Sequence, residues 1–310
     1  MQIHSSFINY KEKSPVITMG TFDGVHPGHK ALLKRVKELA KEENTESLVV
    51  TFWPHPRLVL GHDPDQLRLL TTLEEKTKLI GEIGVDHLMI LPFTKELSEL
   101  SAKGFTEEVL VKKLNVKHLV TGFNHRFGSG GITFGELKEL SNKHKFKLSQ
   151  FHHVDVNGDH PSSTQIRNYL LEGEIYKANH LLGYSYTITG RIIGGNRLGR
   201  TISYPTANIE LQEEYKLVPL DGVYACRVKV MGKIYNGMVN IGVRPTVSKQ
   251  LDHRTVEVHI LDFSGDIYSE EISIYFEERI RNEMKFDNIE ALKAQLKKDE
   301  LTIRAVLNKI

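Results

Sequence analysis

His26 and His29 close the run GTFDGVHPGH, which spans Gly20 to His29 and carries Phe22 and Asp23 among three glycines, Gly20, Gly24 and Gly28. Glycines let a backbone approach a ligand closely. The amphipathic stretch that follows opens a helix, whose unpaired N–H groups and positive dipole end favour an anion in the turn. With Pro27 and Gly28 between them, both imidazoles reach the phosphates that such a helix start attracts. The arrangement suits a reaction at phosphorus. In nucleotidyl transfer an incoming phosphate attacks the α-phosphorus in line, so the protein supplies placement and charge stabilisation and no nucleophile. The plain alternative, a tight turn whose histidines cap a helix, is disfavoured because the run lies directly between an apolar strand and a helix.

Three further segments of the first half have a physical reading of their own. Gly122 to Gly128, GFNHRFG, follows the apolar run KHLVTG, which brings Asn124 to the same sheet edge as His26 and lets Arg126 neutralise phosphate. In SSTQIR, Ser162 or Ser163 caps a helix, and Thr164 and Arg167 project from its first turn toward anions. Phe52-Trp53-Pro54-His55-Pro56-Arg57 is a proline-stiffened loop after a strand. In the second half, the glycine-rich Gly194 to Arg200 precedes Tyr204-Pro205-Thr206-Ala207-Asn208, and Glu257 is a carboxylate inside an otherwise apolar strand. Strand alternation alone would also put a polar residue at Glu257.

The elements that must hold these residues change character along the chain. Residues 14 to about 182 alternate short apolar runs (15–19, 47–53, 87–91 and 117–122) with amphipathic segments, the pattern of a doubly wound, mainly parallel sheet. Leu32, Leu33, Val36, Leu39 and Ala40 recur at helical spacing straight after the glycine turn, and more helices are expected at 72–83, 105–114 and 134–144. Beyond Gly183 the runs at 187–193, 222–230, 233–243, 255–263 and 270–280 are strand-like and separated by Gly, Asp and Pro turns. They read as a small antiparallel barrel, and a helix from Ile289 packs across it through Leu292, Leu296 and Leu301. The expected fold is therefore an α/β doubly wound (Rossmann-like) domain over 1–183, then a β-barrel domain with a C-terminal helix over 184–310.

GTFDGVHPGH is similar to the HxGH-bearing nucleotidyltransferases. Together with the PHPR, GFNHRFG and SSTQIR segments, it resembles the prokaryotic bifunctional riboflavin kinase/FMN adenylyltransferases. The glycine loop, PTAN (205–208) and NIGVRPT (240–246) resemble the kinase half of that family, so that the likeness spans nearly the whole chain. It implies two ATP-dependent steps: riboflavin to FMN at the barrel, then FMN to FAD with release of pyrophosphate at the first domain. By the same likeness Gly20, Phe22, Asp23, Gly24, His26, His29, Asn124, Arg126, Ser163, Thr164 and Arg167 surround the triphosphate. Gly195, Gly199, Arg200, Pro205, Thr206 and Asn208 take the second ATP, and Thr206 and Asn208 place oxygens on Mg²⁺. Glu257 is the general base. Phe52, Pro54, Pro56, Arg281 and Phe286 border flavin. Tyr204 departs from the usual Phe, Asn124 from a frequent Asp, and 129–133 lacks the basic residue many relatives carry.

Composition narrows the partners. With 40% hydrophobic and 26% charged residues the chain is that of a soluble globular protein. A net charge of +2 is too small for a whole-molecule nucleic-acid footprint. Cys226 is the single cysteine, which excludes internal disulfides and CxxC metal sites, and its neighbours make it a buried strand residue. His152, His153 and His160 lack the companion ligands of a zinc site. No run approaches the roughly 18 apolar residues of a membrane span, so the expected setting is the cytoplasm with small-molecule partners. Two rival readings are a nucleotidyltransferase for another phosphate with an unrelated barrel, and a flavin- or nucleotide-sensing regulator without turnover. The PTAN and Glu257 pair opposes the first, and the intact His26, His29 and Glu257 oppose the second.

Overall fold

In the computed structural model the described residues are 1–7, 10, 14–61, 67–122, 128–152, 158–194, 204–211, 213–243 and 254–309. They divide into two compact units, Met1–Ser163 and Thr164–Ile310.

The first unit is built on a six-stranded, all-parallel sheet of β1 (Gln2–His4), β2 (Val16–Met19), β3 (Ser47–Trp53), β4 (His87–Pro92), β5 (His118–Gly122) and β6 (Lys147–Phe151). Their order is β1-β4-β3-β2-β5-β6. Helices α1 (Pro27–Glu42), α2 (Pro56–Leu60), α3 (Leu73–Ile83), α4 (Lys95–Glu99), α5 (Ala102–Phe105, continued by a π-helical turn over Thr106–Val111) and α6 (Phe134–His144) connect the strands. Alternate strand residues feed opposite cores. Ile17, Met19, Leu48, Val50, Met89 and Leu119 pack with Phe105, Leu110 and Leu137, whereas Val16, Val49, Leu88 and Val120 pack with Leu33, Val36, Ala40 and Ile80. Cover on both faces is what near-continuous apolar strands require. The chain leaves β2 toward β3 on one side and returns to pair β5 on the other, so the topological switch lies between β2 and β5. Ligands of such sheets collect at the carboxyl ends of these strands.

The second unit opens with α7 (Ser163–Leu171) and α8 (Ile175–Leu182). β7 (Thr187–Ile193), β8 (Ala207–Leu211), β9 (Gly222–Val230), β10 (Lys233–Val243), β11 (Arg254–Ile260) and β12 (Glu271–Arg281) then close a barrel in the order β10-β11-β8-β7-β12-β9. Every pairing in it is antiparallel. Helix α9 (Ile289–Leu307) lays Ile303 and Leu307 on Val223, Ala225, Met238 and Leu261. The expected strands and C-terminal helix are present, although Leu301, expected in the helix contact, is exposed, and Cys226 is fully buried with its thiol pKa pushed up by desolvation.

Some elements differ from expectation. β1, β6, β8, α2, α4 and α8 were not foreseen. The helix expected over 105–114 starts earlier, where the Ser101 hydroxyl caps it, and turns π-helical at Thr106. α7 and α8 pack within the second compact unit, through Leu220 N to Leu170 O and Asn179 Nδ2 to Phe276 O. Because Ile303 is wholly buried under the barrel, Ile303→Ala is expected to cost about 2–5 kcal/mol of stability, read as a lowered urea midpoint by circular dichroism.

Candidate active sites

β2 delivers the chain into the glycine run at the switch point. Phe22 (φ 47°), Gly24 (φ 81°) and Val25 (φ 36°) all adopt positive φ, which is uncommon for Phe and a true outlier for a β-branched residue. The surrounding structure holds this turn in place. The Asp23 carboxylate accepts from Leu70 N (2.9 Å), Thr71 N (3.1 Å) and the Thr71 hydroxyl (3.3 Å), while Gly24 N donates to Thr71 Oγ1 (3.1 Å). Ser163 Oγ adds a bond to the Asp23 carbonyl at 2.8 Å. Asp23, expected beside the triphosphate, is 4% exposed and spends its charge on the neighbouring loop, because buried N–H groups there need an acceptor.

His26 is the N-cap residue of α1, with Pro27 at the first helical position and no side-chain cap on the first-turn N–H groups. The His26 and His29 rings stack with centroids 3.7 Å apart, and Phe22 meets His29 edge-on at 5.4 Å. A Cβ at Gly28 would stand 3.2 Å from the His26 ring, which explains the glycine between them. Both Nδ1 atoms are buried without a hydrogen-bond partner among the described residues. Desolvation lowers the His26 pKa to about 4 against the opposing pull of Asp23. His29 is also lowered, by desolvation and then by His26 and Lys76. The pair is therefore neutral at physiological pH, one N–H donor per ring.

Beside the pair is a cavity of about 640 Å³, lined by Gly20, Thr21, Phe22 and His29 on one side and by Phe52, Pro56, Phe93 and Phe105 among its apolar walls. Phe52 and Pro56, expected to border flavin, line this cavity. Pro54 does not: it is exposed and absent from the lining, and His55 caps α2 by accepting from Arg57 N. Phe93 and Phe105 were not foreseen, although Phe93 directly follows a strand end, where such sheets place ligand contacts. Asn124 and Arg126 lie outside the described residues. Thr164 and Arg167 follow Ser163 on α7, in the second unit.

In the barrel, Glu257 on β11 stands directly opposite Asn208 on β8 and Asn240 on β10. Its neighbours Val256 and Val258 are buried, so the half-buried carboxylate shares the opposite strand face with the two amides. Thr206 Oγ1 donates to Glu257 Oε2 at 3.3 Å, and His259 Nδ1 donates to Pro205 O at 2.7 Å. Pro205 and Thr206 also border a cavity of about 370 Å³ with Ile192, Val258, Ile260 and Phe263. Its apolar walls suit a flat ring, and its rim carries Thr206. Gly195, Gly199 and Arg200 lie outside the described residues, as do Arg244, Pro245 and Thr246. Arg281, expected to border flavin, has its guanidinium bound bidentately by Asp299 of α9 (Nε to Oδ1 3.0 Å, Nη2 to Oδ2 2.7 Å) and stands 5.9 Å from the Phe286 ring centre. Tyr204 OH reaches the same helix at Glu300 (3.0 Å). Among the described residues no group of three or more His, Cys, Asp or Glu could hold a metal, and His153 lies outside them.

A doubly wound unit with an anion-ready helix start, and a barrel that sets the Thr206 hydroxyl, the Asn208 amide and the Glu257 carboxylate together on adjoining strands, define a two-site nucleotide-dependent transferase. The FAD synthetase family model matches residues 8–165 and the riboflavin kinase model residues 182–307. The bifunctional riboflavin kinase/FMN adenylyltransferase of Listeria monocytogenes is 41% identical, over 95% of this chain and 93% of its own. That of Escherichia coli K12 is 38% identical, over 93% and 91%. The chain belongs to this bifunctional family. A solved structure titled as a macrolide-efflux protein from Streptococcus pneumoniae, 32% identical, covers 97% of this chain and 98% of its own with a TM-score of 0.87. Here no helix among the described residues is long and apolar enough to cross a membrane.

The depressed His26 pKa predicts a pH effect with a definite sign. An unfolded His takes up a proton near pH 6.5, and the folded ring does so only near 4. Below 6.5 the unfolded state therefore binds more protons, and stability falls between pH 6.5 and 4 by about 3 kcal/mol from this group. Urea titrations at pH 7 and 4.5, followed by emission of Trp53, the single tryptophan, should show the loss, and His26→Gln should flatten it.

Proposed function

We propose that the two activities of this chain are divided between its units, FMN adenylylation at the GTFDGVHPGH turn and riboflavin phosphorylation at the barrel face around Glu257. The observation that carries the first assignment is the stacked, neutral His26 and His29 pair at an uncapped helix start beside a largely apolar cavity. A flavin ring fits walls such as Phe52, Pro56, Phe93 and Phe105, and phosphates fit the helix start. The FMN phosphate attacks the α-phosphorus of ATP, the bond to the β-phosphate oxygen breaks, and pyrophosphate leaves. Neutral imidazoles donate hydrogen bonds to the oxygens on which charge builds. Asp23 sets the turn. Asn124, Arg126, Thr164 and Arg167 are assigned to the triphosphate on their motifs alone.

At the barrel, Glu257 takes the proton from the terminal ribityl hydroxyl as its oxygen attacks the γ-phosphorus of ATP, and ADP leaves. The Thr206 hydroxyl and the Asn208 amide oxygen are hard donors of the kind Mg²⁺ takes, and they would hold it here beside the Glu257 carboxylate. That ion, when bound, neutralises phosphate charge. Gly195, Gly199 and Arg200 are assigned to covering the nucleotide by their motif. Both substrates are small and polar, which fits an enzyme working in the cytoplasm.

The test supplies ATP and Mg²⁺ with riboflavin in one arm and with FMN in a second, and follows FMN and FAD by chromatography. His26→Ala is expected to slow FMN adenylylation by roughly 10²–10³, the scale for losing one preorganised charge stabiliser, while riboflavin phosphorylation continues. Glu257→Ala should give the reverse pattern. Equal loss of both activities in either variant would refute the division.

A further inference from the structure

Lys76 is an amphipathic-helix lysine in the sequence, yet only 4% of it is exposed. Lysines are almost never buried this deeply without a use for the charge. Its ammonium donates to the carbonyl of Thr21 at 3.1 Å and stands 5.9 Å from the centre of the Trp53 ring. It therefore touches both the glycine turn and the segment that leads into PHPR. Thr21 lines the 640 Å³ cavity, and its carbonyl also accepts from Thr51 Oγ1 at 3.5 Å, while Gly20 N is tied to Val50 O at 3.0 Å. In a trans peptide the Phe22 N–H points opposite to the Thr21 carbonyl. Holding the carbonyl toward α3 keeps that donor turned away from Lys76. α3 is itself anchored, by the Thr72–Glu75 capping box and by the Asp23 bonds to the residues before it.

We propose that Lys76 is a positioning residue of adenylyl transfer: it fixes the Thr21–Phe22 peptide of the turn and sets a positive charge behind the site that receives the β- and γ-phosphates. The inference rests on the assignment of that reaction to the turn. The field of Lys76 at His29, one of the causes that keep this ring neutral, is consistent with a charge that reaches the site. A desolvated ammonium acts over longer distances than one in water.

FAD formation from supplied FMN isolates the site, and three constants separate charge from shape: the KM of ATP and the competitive inhibition constants of pyrophosphate and AMP. Lys76→Gln keeps a donor for Thr21 and removes the charge. It is expected to raise the ATP KM and the pyrophosphate constant about tenfold, the scale of one charge several ångströms away, and to move the AMP constant by less than about twofold. Lys76→Arg should return the ATP KM to within about threefold of the original. Constants that all stay put, or an AMP constant that rises with the others, would overturn the proposal. Lys76→Met, whose stem fits the same space, serves if the Gln variant loses native Trp53 emission. His26→Ala run alongside separates the two levels. If it leaves FAD formation intact, the site assignment fails, whereas loss there with unchanged constants in Lys76→Gln removes Lys76 alone.

Discussion

The first unit depends on one buried carboxylate. Asp23 sits in a turn that two non-glycine residues enter at positive φ, a conformation the turn would abandon if its ends were not held. Its oxygens satisfy the N–H groups of Leu70 and Thr71, and Thr71 in turn satisfies Gly24 N. A charge this deep is tolerated because each bond to it is charge-assisted and the donors have nowhere better to go. The same bonds fix the start of α3 and with it Lys76. Turn, helix start and lysine thus form one rigid assembly, and the histidine stack is placed by it.

The two halves handle nucleotide phosphate differently. At the turn the donors are a helix start and imidazoles kept neutral by burial, an environment that costs no reorganisation as negative charge moves from the α-phosphorus to a departing pyrophosphate. On the barrel the nearest groups are oxygens, from Thr206, Asn208 and Glu257, which repel phosphate unless a cation lies between. The first arrangement suits transfer at an inner phosphorus, and the second suits a metal-bound nucleotide whose terminal phosphoryl leaves for an alcohol.

Much of this was legible in the sequence, because apolar strands covered on both faces and an alternating barrel leave strong periodic signals. β2 through β5, α1 and the long barrel strands are such cases. β1 is three residues long and β6 is a half-exposed edge, too short or too mixed to stand out. The histidines stood out by type and spacing, and PTAN and Glu257 through their resemblance to the kinase family. The hydrogen bonds of Asp23 could not be read, since its partners lie 47 and 48 residues away. The ion pair of Arg281 was hidden for the same reason: Asp299, its partner, is 18 residues distant on α9. Lys76 was hidden by its type, since a lysine in an amphipathic helix reads as solvated.

Helix α9 follows every barrel strand in the chain, and it carries the groups that bind Tyr204, Asp262 and Arg281. A ribosome therefore releases all six strands before the piece that ties down the segment leading into PTAN and the end of β12. The parallel sheet is complete at β6, and Ser163, which follows it and bonds the Asp23 carbonyl, still precedes every barrel strand. During synthesis the site that acts second on the flavin can be finished first, and the site that must act first is finished last.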